Sequence, residues 1–352
     1  MKLSFKIGSV WGIPIELHLT FILLMIAVFV LFYPQVYSFL LIVFLFVFVV
    51  FHEMAHSIIA RRHGIKVRKI VLYPIGGVSE IEEIPETPSL EWRMAIAGPL
   101  TSLIIGVALL GINYLIPIKI APPTPPYTGS ILFDLGYLNI LLGAFNLIPA
   151  FPMDGGRVFR ALLAERMKFT DATKYASYIG RILGIAFAVF GIVFPSYFLL
   201  ILVGVFIYVG ASEEAEQTII SSTLANVRAK DVMQSEVGAV SPDQTIAEAF
   251  EIMFKNRYHD ALVEKDGVFQ GIVIWSEILK VTPEQRPNMR VEQMPIKNVS
   301  IHPDEAILEA YKLMTKEKID LLPVVDKLSP TKIVGVLTSE AVANAYEKAR
   351  SK

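Results

Sequence analysis

An apolar run from about Ser38 to Ala60 is long enough to cross a bilayer, and its only ionisable residues are His52, Glu53 and His56. In hydrocarbon every backbone N–H and C=O must find its partner within the protein, so a run of this length has essentially one structure open to it, a helix. On a helix of 3.6 residues per turn, positions four apart face nearly the same way. Both imidazoles of His52-Glu53-Met54-Ala55-His56 can therefore reach one metal ion with Glu53 beside them, the H-E-x-x-H arrangement of zinc hydrolases. Ionisable side chains in lipid are costly and mark function. The plainer alternative is two histidines satisfied by helix–helix hydrogen bonds.

The rest of the chain suits this setting. It is 54% hydrophobic and 18% charged, where ordinary globular chains are roughly a quarter charged. A net charge of −1 gives no reason to expect a nucleic-acid partner, and with no cysteine any metal must be held by His, Asp or Glu. Apolar segments at about 15–33, 38–60, 93–116, 130–148, 174–194 and 196–211 imply six spans. Lys2 and Lys6 precede the first, which is long and lacks an A-x-A site, so it reads as an uncleaved spanning helix rather than a signal peptide. Arg61, Arg62, Lys66, Arg68 and Lys69 follow the second span and put that loop in the cytoplasm by the positive-inside rule. Counting from there, the N-terminus and everything after residue 211 are cytoplasmic, while Pro34 and the proline-rich 121–126 lie outside. Arg157, Arg160, Arg166 and Lys168 fall on the cytoplasmic side as well. His56 then lies within roughly 10 Å of the cytoplasmic end of its helix.

Two further stretches interrupt the apolar pattern. Lys66–Ile81 is rich in β-branched residues with a Pro and a Gly pair, which predicts a surface hairpin whose edge is able to pair with an extended peptide or simply to connect helices. Ala97-Gly98-Pro99 opens the third span with small residues suited to close packing. Between Gly143 and Arg157 an apolar helix ends, Pro149 and Pro152 forbid its continuation, and Asp154 is followed by two glycines. Irregular backbone at membrane depth is tolerated only where protein or water covers it, so Asp154 is expected in the same cavity as the histidines. With them it would make a His, His, carboxylate set with a fourth position for water. Taken alone, D-G-G after a proline is an ordinary turn.

At this point the sequence resembles the site-2 protease family of intramembrane zinc metalloproteases. His52-Glu53-x-x-His56 is similar to the family's H-E-x-x-H, and Asn146-x-x-Pro149-x-x-Pro152-x-Asp154-Gly155 to its N-x-x-P-x-x-x-x-D-G, with Met153 where many relatives carry Leu. The likeness covers residues 1–211, including Gly76-Gly77 and Ala97-Gly98-Pro99. It implies His52, His56 and Asp154 as ligands of one Zn2+, Glu53 as general base, and Asn146 as a substrate-orienting or oxyanion-stabilising side chain. It also implies a single-span membrane protein as substrate, cleaved within its transmembrane segment.

Residues 228–348 hold a repeat. Asp231-Val232-Met233 matches Glu292-Gln293-Met294, Ser241-Pro242-Asp243 matches His302-Pro303-Asp304, and Gly271-Ile272-Val273 matches Gly335-Val336-Leu337. Each unit alternates strand, amphipathic helix, two strands and a closing helix, and resembles one of a tandem pair of cystathionine-β-synthase-type (CBS) modules. Such pairs often bind adenine nucleotides, with a Ser or Thr followed three residues later by an acid. The matching positions read Ile274 with Glu277 and Thr338 with Ala341, so neither copy is complete, and a homodimerisation or filtering module is the alternative.

The expected fold is thus a polytopic α-helical membrane protein of about six transmembrane helices followed by a cytosolic α/β tandem CBS module. The domains are 1–211, a polar linker at 212–227, and repeats at 228–289 and 290–352. His18 is expected to bond at the interface, His63 to be solvated, Asp134 to reach the outer interface, and Asn139 to make a helix–helix contact; His259 and His302 have no metal spacing. Two competing functions are a CBS-gated transporter and an inactive scaffold for membrane helices. No inverted repeat is visible in the spans, and the ligand set is intact.

Overall fold

The computed structural model describes residues 3–33, 36–81, 87–120, 122, 127–234, 239–256 and 259–350. Pro34, most of the proline-rich 121–126 and Lys2 lie outside them. The chain divides into two compact units, Met1–Glu216 and Gln217–Lys352.

The first unit begins as a sheet. Strands β1 (Ser4–Val10) and β2 (Ile13–His18) form a hairpin through Trp11-Gly12, both at positive φ, the backbone of a two-residue turn that matches strand twist. Helix α1 (Leu19–Phe32) follows directly. The spanning helix expected over 15–33 is therefore corrected at its start. Ile13 and Ile15 are buried on one face while Glu16 lies on the other and pairs with Lys69, a period of two that extends the strand to His18 before the period becomes helical. His18 caps α1, its Nδ1 2.7 Å from Thr20 Oγ1, and its ring lies against Tyr73.

Helix α2 (Val36–Arg62) runs 27 residues and ends in Arg61 and Arg62, cations that complement the negative end of the helix dipole. It leads into the hairpin β3 (Val67–Tyr73) and β4 (Gly76–Ile81), as expected. Strand β3 pairs parallel with β2, with α1 and α2 as the crossover, and the four strands lie in the order β1-β2-β3-β4 with β4 at an edge.

Helix α3 (Pro88–Leu115) starts with Pro88 in its first turn, where a missing N–H costs nothing. It crosses α4 (Ile131–Asn146) so closely that a Cβ on Gly106 would lie 2.8 Å from the Gly136 carbonyl oxygen, the small-residue contact of membrane helices. Asp134 is buried and accepts from the Tyr37 hydroxyl, the Thr128 amide and the Thr128 hydroxyl. Asn139 is fully buried and donates to Leu135 O of its own helix.

After α4 a short loop turns into α5 (Asp154–Ala164), then α6 (Phe169–Val193) and α7 (Leu199–Ala225). Gly155 and Gly156 let α5 fold back on that loop: a Cβ at Gly155 would lie 2.3 Å from Ile148 O. Among the described residues α2, α3 and α6 are long and apolar enough to cross a membrane, and Leu19–Leu31 and α4 are shorter apolar helices. The stretch 212–225, expected as a polar connector, is helical and continues α7. Ala, Glu and Gln are good helix formers and no Gly or Pro interrupts them.

The second unit repeats one topology. Strand β5 (Ala239–Val240), α8 (Ile246–Asn256), β6 (Asp260–Lys265), β7 (Val268–Ile274) and α9 (Trp275–Ile278) form the first copy. The second has α10 (Ile307–Glu317), β8 (Leu321–Val325), β9 (Ile333–Thr338) and α11 (Ser339–Arg350). In each an antiparallel pair is joined in parallel by a short strand or bridge, β5 to β6 and Ile301 to Val324. Met253 and Met314, at equivalent places in α8 and α10, are buried one in each core. Asp260, 2% exposed, accepts from the Asp320 and Trp275 amides and so ties the copies together.

Candidate metal centre

Helix α2 presents His52 and His56 on one side, one turn apart, with ring centroids 5.0 Å from each other. Asp154, the first residue of α5, reaches them from a hundred residues away in sequence. Its Oδ2 lies 3.1 Å from His52 Nε2 and 3.2 Å from His56 Nε2. One ligand atom from each of the three falls within 4.8 Å of the others. The carboxylate also stands at the positive end of a helix dipole, where an anion is favoured.

The other ring nitrogens fix which atoms face this point. His56 Nδ1 is 2.7 Å from the Met94 carbonyl oxygen, which only accepts, so Nδ1 carries the hydrogen and the Nε2 of the neutral ring presents a lone pair. His52 Nδ1 is 2.9 Å from Ser102 Oγ. These are the outer contacts that orient metal-binding histidines. A lone pair opposed to a carboxylate at 3.2 Å, in a buried place, is repulsive unless a proton or a metal cation lies between them. Tetrahedral zinc with bonds of roughly 2.0–2.2 Å spaces its ligands about 3.3–3.6 Å apart, close to the two distances from Asp154 to the histidines.

Gly98 keeps that space open. A Cβ there would lie 2.2 Å from His56 Nε2 and 2.6 Å from His52 Nε2. Met94, Gly98 and Ser102 follow at intervals of four along α3, so one face of this helix touches both histidines. The residues present thus fit a small divalent cation held by two imidazoles and one carboxylate.

Glu53, beside His52 on α2, packs against β4 of the sheet. Its Oε2 accepts from the Ser79 hydroxyl at 2.8 Å, and a Cβ on Gly77 would lie 2.5 Å from its Cγ. Asn146, at the end of α4, donates one N–H to Leu142 O of its own helix at 2.9 Å rather than to the three convergent residues. Arg160 on α5 is buried. Its Nε donates to Glu91 of α3 at 2.8 Å, its Nη2 reaches Glu214 of α7 at 3.3 Å, and its guanidinium lies over Phe151 and Phe169. Sequence reasoning missed Met94, Ser102, Ser79 and Arg160, since each depends on which turn of one element meets another.

The family model of peptidase family M50 matches residues 40–123 and 127–189, which include α2, α3 and α5 and hence all three convergent side chains. A zinc metalloprotease of Methanocaldococcus jannaschii is 39% identical over 275 residues, 78% of each chain. The chain belongs to the site-2 protease family. A solved site-2 protease from Methanocaldococcus jannaschii is 42% identical, covering 60% of this chain and 95% of that one, with a TM-score of 0.47. Stage IV sporulation protein FB of Bacillus subtilis is 28% identical over 130 residues, 36% of this chain and 42% of that one. The CBS domain model matches residues 229–284 and 291–348, so this member of the protease family carries a tandem CBS pair.

Proposed function

We propose that this protein is an intramembrane zinc metalloprotease that hydrolyses a peptide bond in the transmembrane segment of a single-span substrate. The reading is carried by one observation, the meeting of His52 Nε2, His56 Nε2 and Asp154 Oδ2 around a point that Gly98 leaves clear. His52, His56 and Asp154 would hold zinc there. Zinc in that position supplies Lewis-acid polarisation at neutral pH, which amide hydrolysis requires.

Glu53 takes the proton of the attacking water and returns it to the leaving amine. The second N–H of Asn146 is free of Leu142 and would orient the substrate or meet the developing oxyanion. A substrate helix hides its carbonyls in its own hydrogen bonds, so it must unwind before cleavage. The loop around Pro149 and the edge of β4 offer irregular or unpaired backbone for that step. Six spans with the N-terminus and CBS pair in the cytoplasm fit the basic loop after α2. With no native cysteine, single-cysteine labelling from either side tests that orientation directly.

The decisive experiment uses the full chain in lipid: bound zinc is measured and cleavage of a single-span substrate is compared with Glu53→Gln. Zinc retained with cleavage lost supports the protease; equal cleavage by both removes Glu53 as base. For the CBS pair the proposed roles are regulation or homodimerisation, with an adenine nucleotide as ligand class. Calorimetry with ATP and AMP tests this, and no heat at millimolar ligand would discard the nucleotide.

A further inference from the structure

The strand that closes over Glu53 does more than fill space. Gly77 and Ser79 of β4 are two residues apart and so face the same side of the strand. At Gly77 the backbone comes so near that a side chain would meet Glu53 Cγ at 2.5 Å and Val49 Cγ1 at 3.2 Å, which pins the aliphatic part of Glu53. At Ser79 the hydroxyl donates to Glu53 Oε2 at 2.8 Å, which pins the carboxylate. Behind it Ser57, fully buried one turn further along α2, lies 3.2 Å from Ser79 Oγ and 2.9 Å from Glu53 O. The single Ser57 proton has its shorter acceptor in Glu53 O, so the two serines brace Glu53 separately, Ser57 at its backbone and Ser79 at its carboxylate.

We infer that Ser79 is a positioning residue for the hydrolytic step: it holds Oε2 of Glu53 and so assigns proton transfer to Oε1. This rests on the protease reading given above. Through the reaction Oε1 accepts the water proton as the C–O bond forms and gives it to the amine nitrogen as the C–N bond breaks. Ser79 keeps its own proton throughout. Without Ser79 the carboxylate is still present but is free to rotate, so fewer of its orientations meet the water. A substrate paired to the edge of β4 would be held through backbone, and the metal by other side chains, so loss of the Ser79 hydroxyl falls on turnover.

The test compares wild type, Ser79→Ala, Ser79→Thr and Glu53→Gln as full chains in lipid vesicles, measuring zinc content, kcat and KM on one single-span substrate. Ser79→Ala is expected to lower kcat about 10- to 100-fold, the range for losing one hydrogen bond to a charged group, with zinc and KM unchanged. Ser79→Thr, which keeps the hydroxyl on a β-branched residue suited to a strand, is expected to restore kcat to within about threefold of wild type. A kcat in Ser79→Ala within twofold of wild type overturns the inference, and so does loss of zinc in parallel with activity, which would make the role structural. A second arm needs no turnover: the infrared carboxylate bands of Glu53, identified by difference against Glu53→Gln, are expected to shift in Ser79→Ala and not in Ser79→Thr, and unshifted bands overturn it. If Glu53→Gln cleaves like wild type, the protease reading falls and takes this one with it; if Glu53→Gln is inactive and Ser79→Ala unimpaired, only Ser79 loses its role.

Discussion

Adding one methyl group at Gly98 should empty the metal site while leaving the helix bundle standing. The new Cβ would lie 2.2 Å from His56 Nε2 and 2.6 Å from both His56 Cε1 and His52 Nε2. Carbon and nitrogen settle at about 3.5 Å, so the His56 ring must retreat by about 1.3 Å. Metal–ligand distances tolerate about 0.2 Å, so this displacement is several times what the ion can follow. Loss of a residue that merely orients a ligand costs roughly 10- to 100-fold in affinity, and moving the ligand atoms themselves should cost at least about 100-fold, or about 2.7 kcal/mol. Folding is affected much less. A Gly to Ala change inside a helix gains up to about 1 kcal/mol in propensity, against about 1–3 kcal/mol for overpacking. Gly111 on the same helix provides the control, since a methyl group there would meet nothing within 4 Å. Zinc affinity by chelator competition, with thermal unfolding in parallel, should show Gly98→Ala folded and metal-poor and Gly111→Ala unchanged. Wild-type zinc affinity in Gly98→Ala would refute the claim that Gly98 clears the ion's place.

Three more expectations follow from the same contacts. Ser102→Ala removes the partner of His52 Nδ1 and should weaken zinc binding about 10-fold in chelator competition; unchanged affinity would show that the ring is oriented by packing alone. Arg160→Ala leaves Glu91 buried without its guanidinium and should destabilise the full chain by about 3–5 kcal/mol, whereas Arg160→Met with Glu91→Leu should cost clearly less; equal thermal shifts for the two would refute this. In the second unit, burial pushes the Asp260 carboxyl above its usual range, with the nearby Asp320 charge adding to the rise. The folded form then holds this proton more tightly than the unfolded one, so the contribution of Asp260 to stability is present at acid pH and is lost as pH rises through the raised value. Asp260→Asn should flatten this profile, read as hydrogen-exchange protection of β6 and β8 as pH rises from the ordinary carboxylate range, and an unchanged slope would rule Asp260 out as its source.

The three convergent side chains were legible because each is announced locally. His52 and His56 sit at helical spacing in a segment where nothing else ionises, and Asp154 follows two prolines and precedes two glycines whose only room is against the loop backbone. The tandem repeat was legible from matched turns and core methionines. The start of α1 was not: Ile13 to Phe32 is one apolar stretch to a hydropathy window, and only the alternation Ile13, Ile15, Leu17 marks where strand gives way to helix. The extent of α7 was hidden for the opposite reason, since Glu213, Glu214 and Glu216 read as a surface connector although such residues favour helix. Ser79, Ser102 and the Met94 carbonyl carry no local mark at all. Their importance comes from how strand β4 and helix α3 are registered against α2, which no single stretch encodes.

That registration has a further consequence for α3. The carbonyl that fixes one imidazole, the bare Cα that faces both and the hydroxyl beside the other lie on successive turns of a single rod, and Glu91 on the turn before locks that rod to the helix bearing Asp154. Sliding or rolling the rod against its neighbour would therefore disturb every ligand together. A bilayer of unsuitable thickness, or a client helix that wedges α3 aside, would switch such a centre off as a whole and not detune it by degrees.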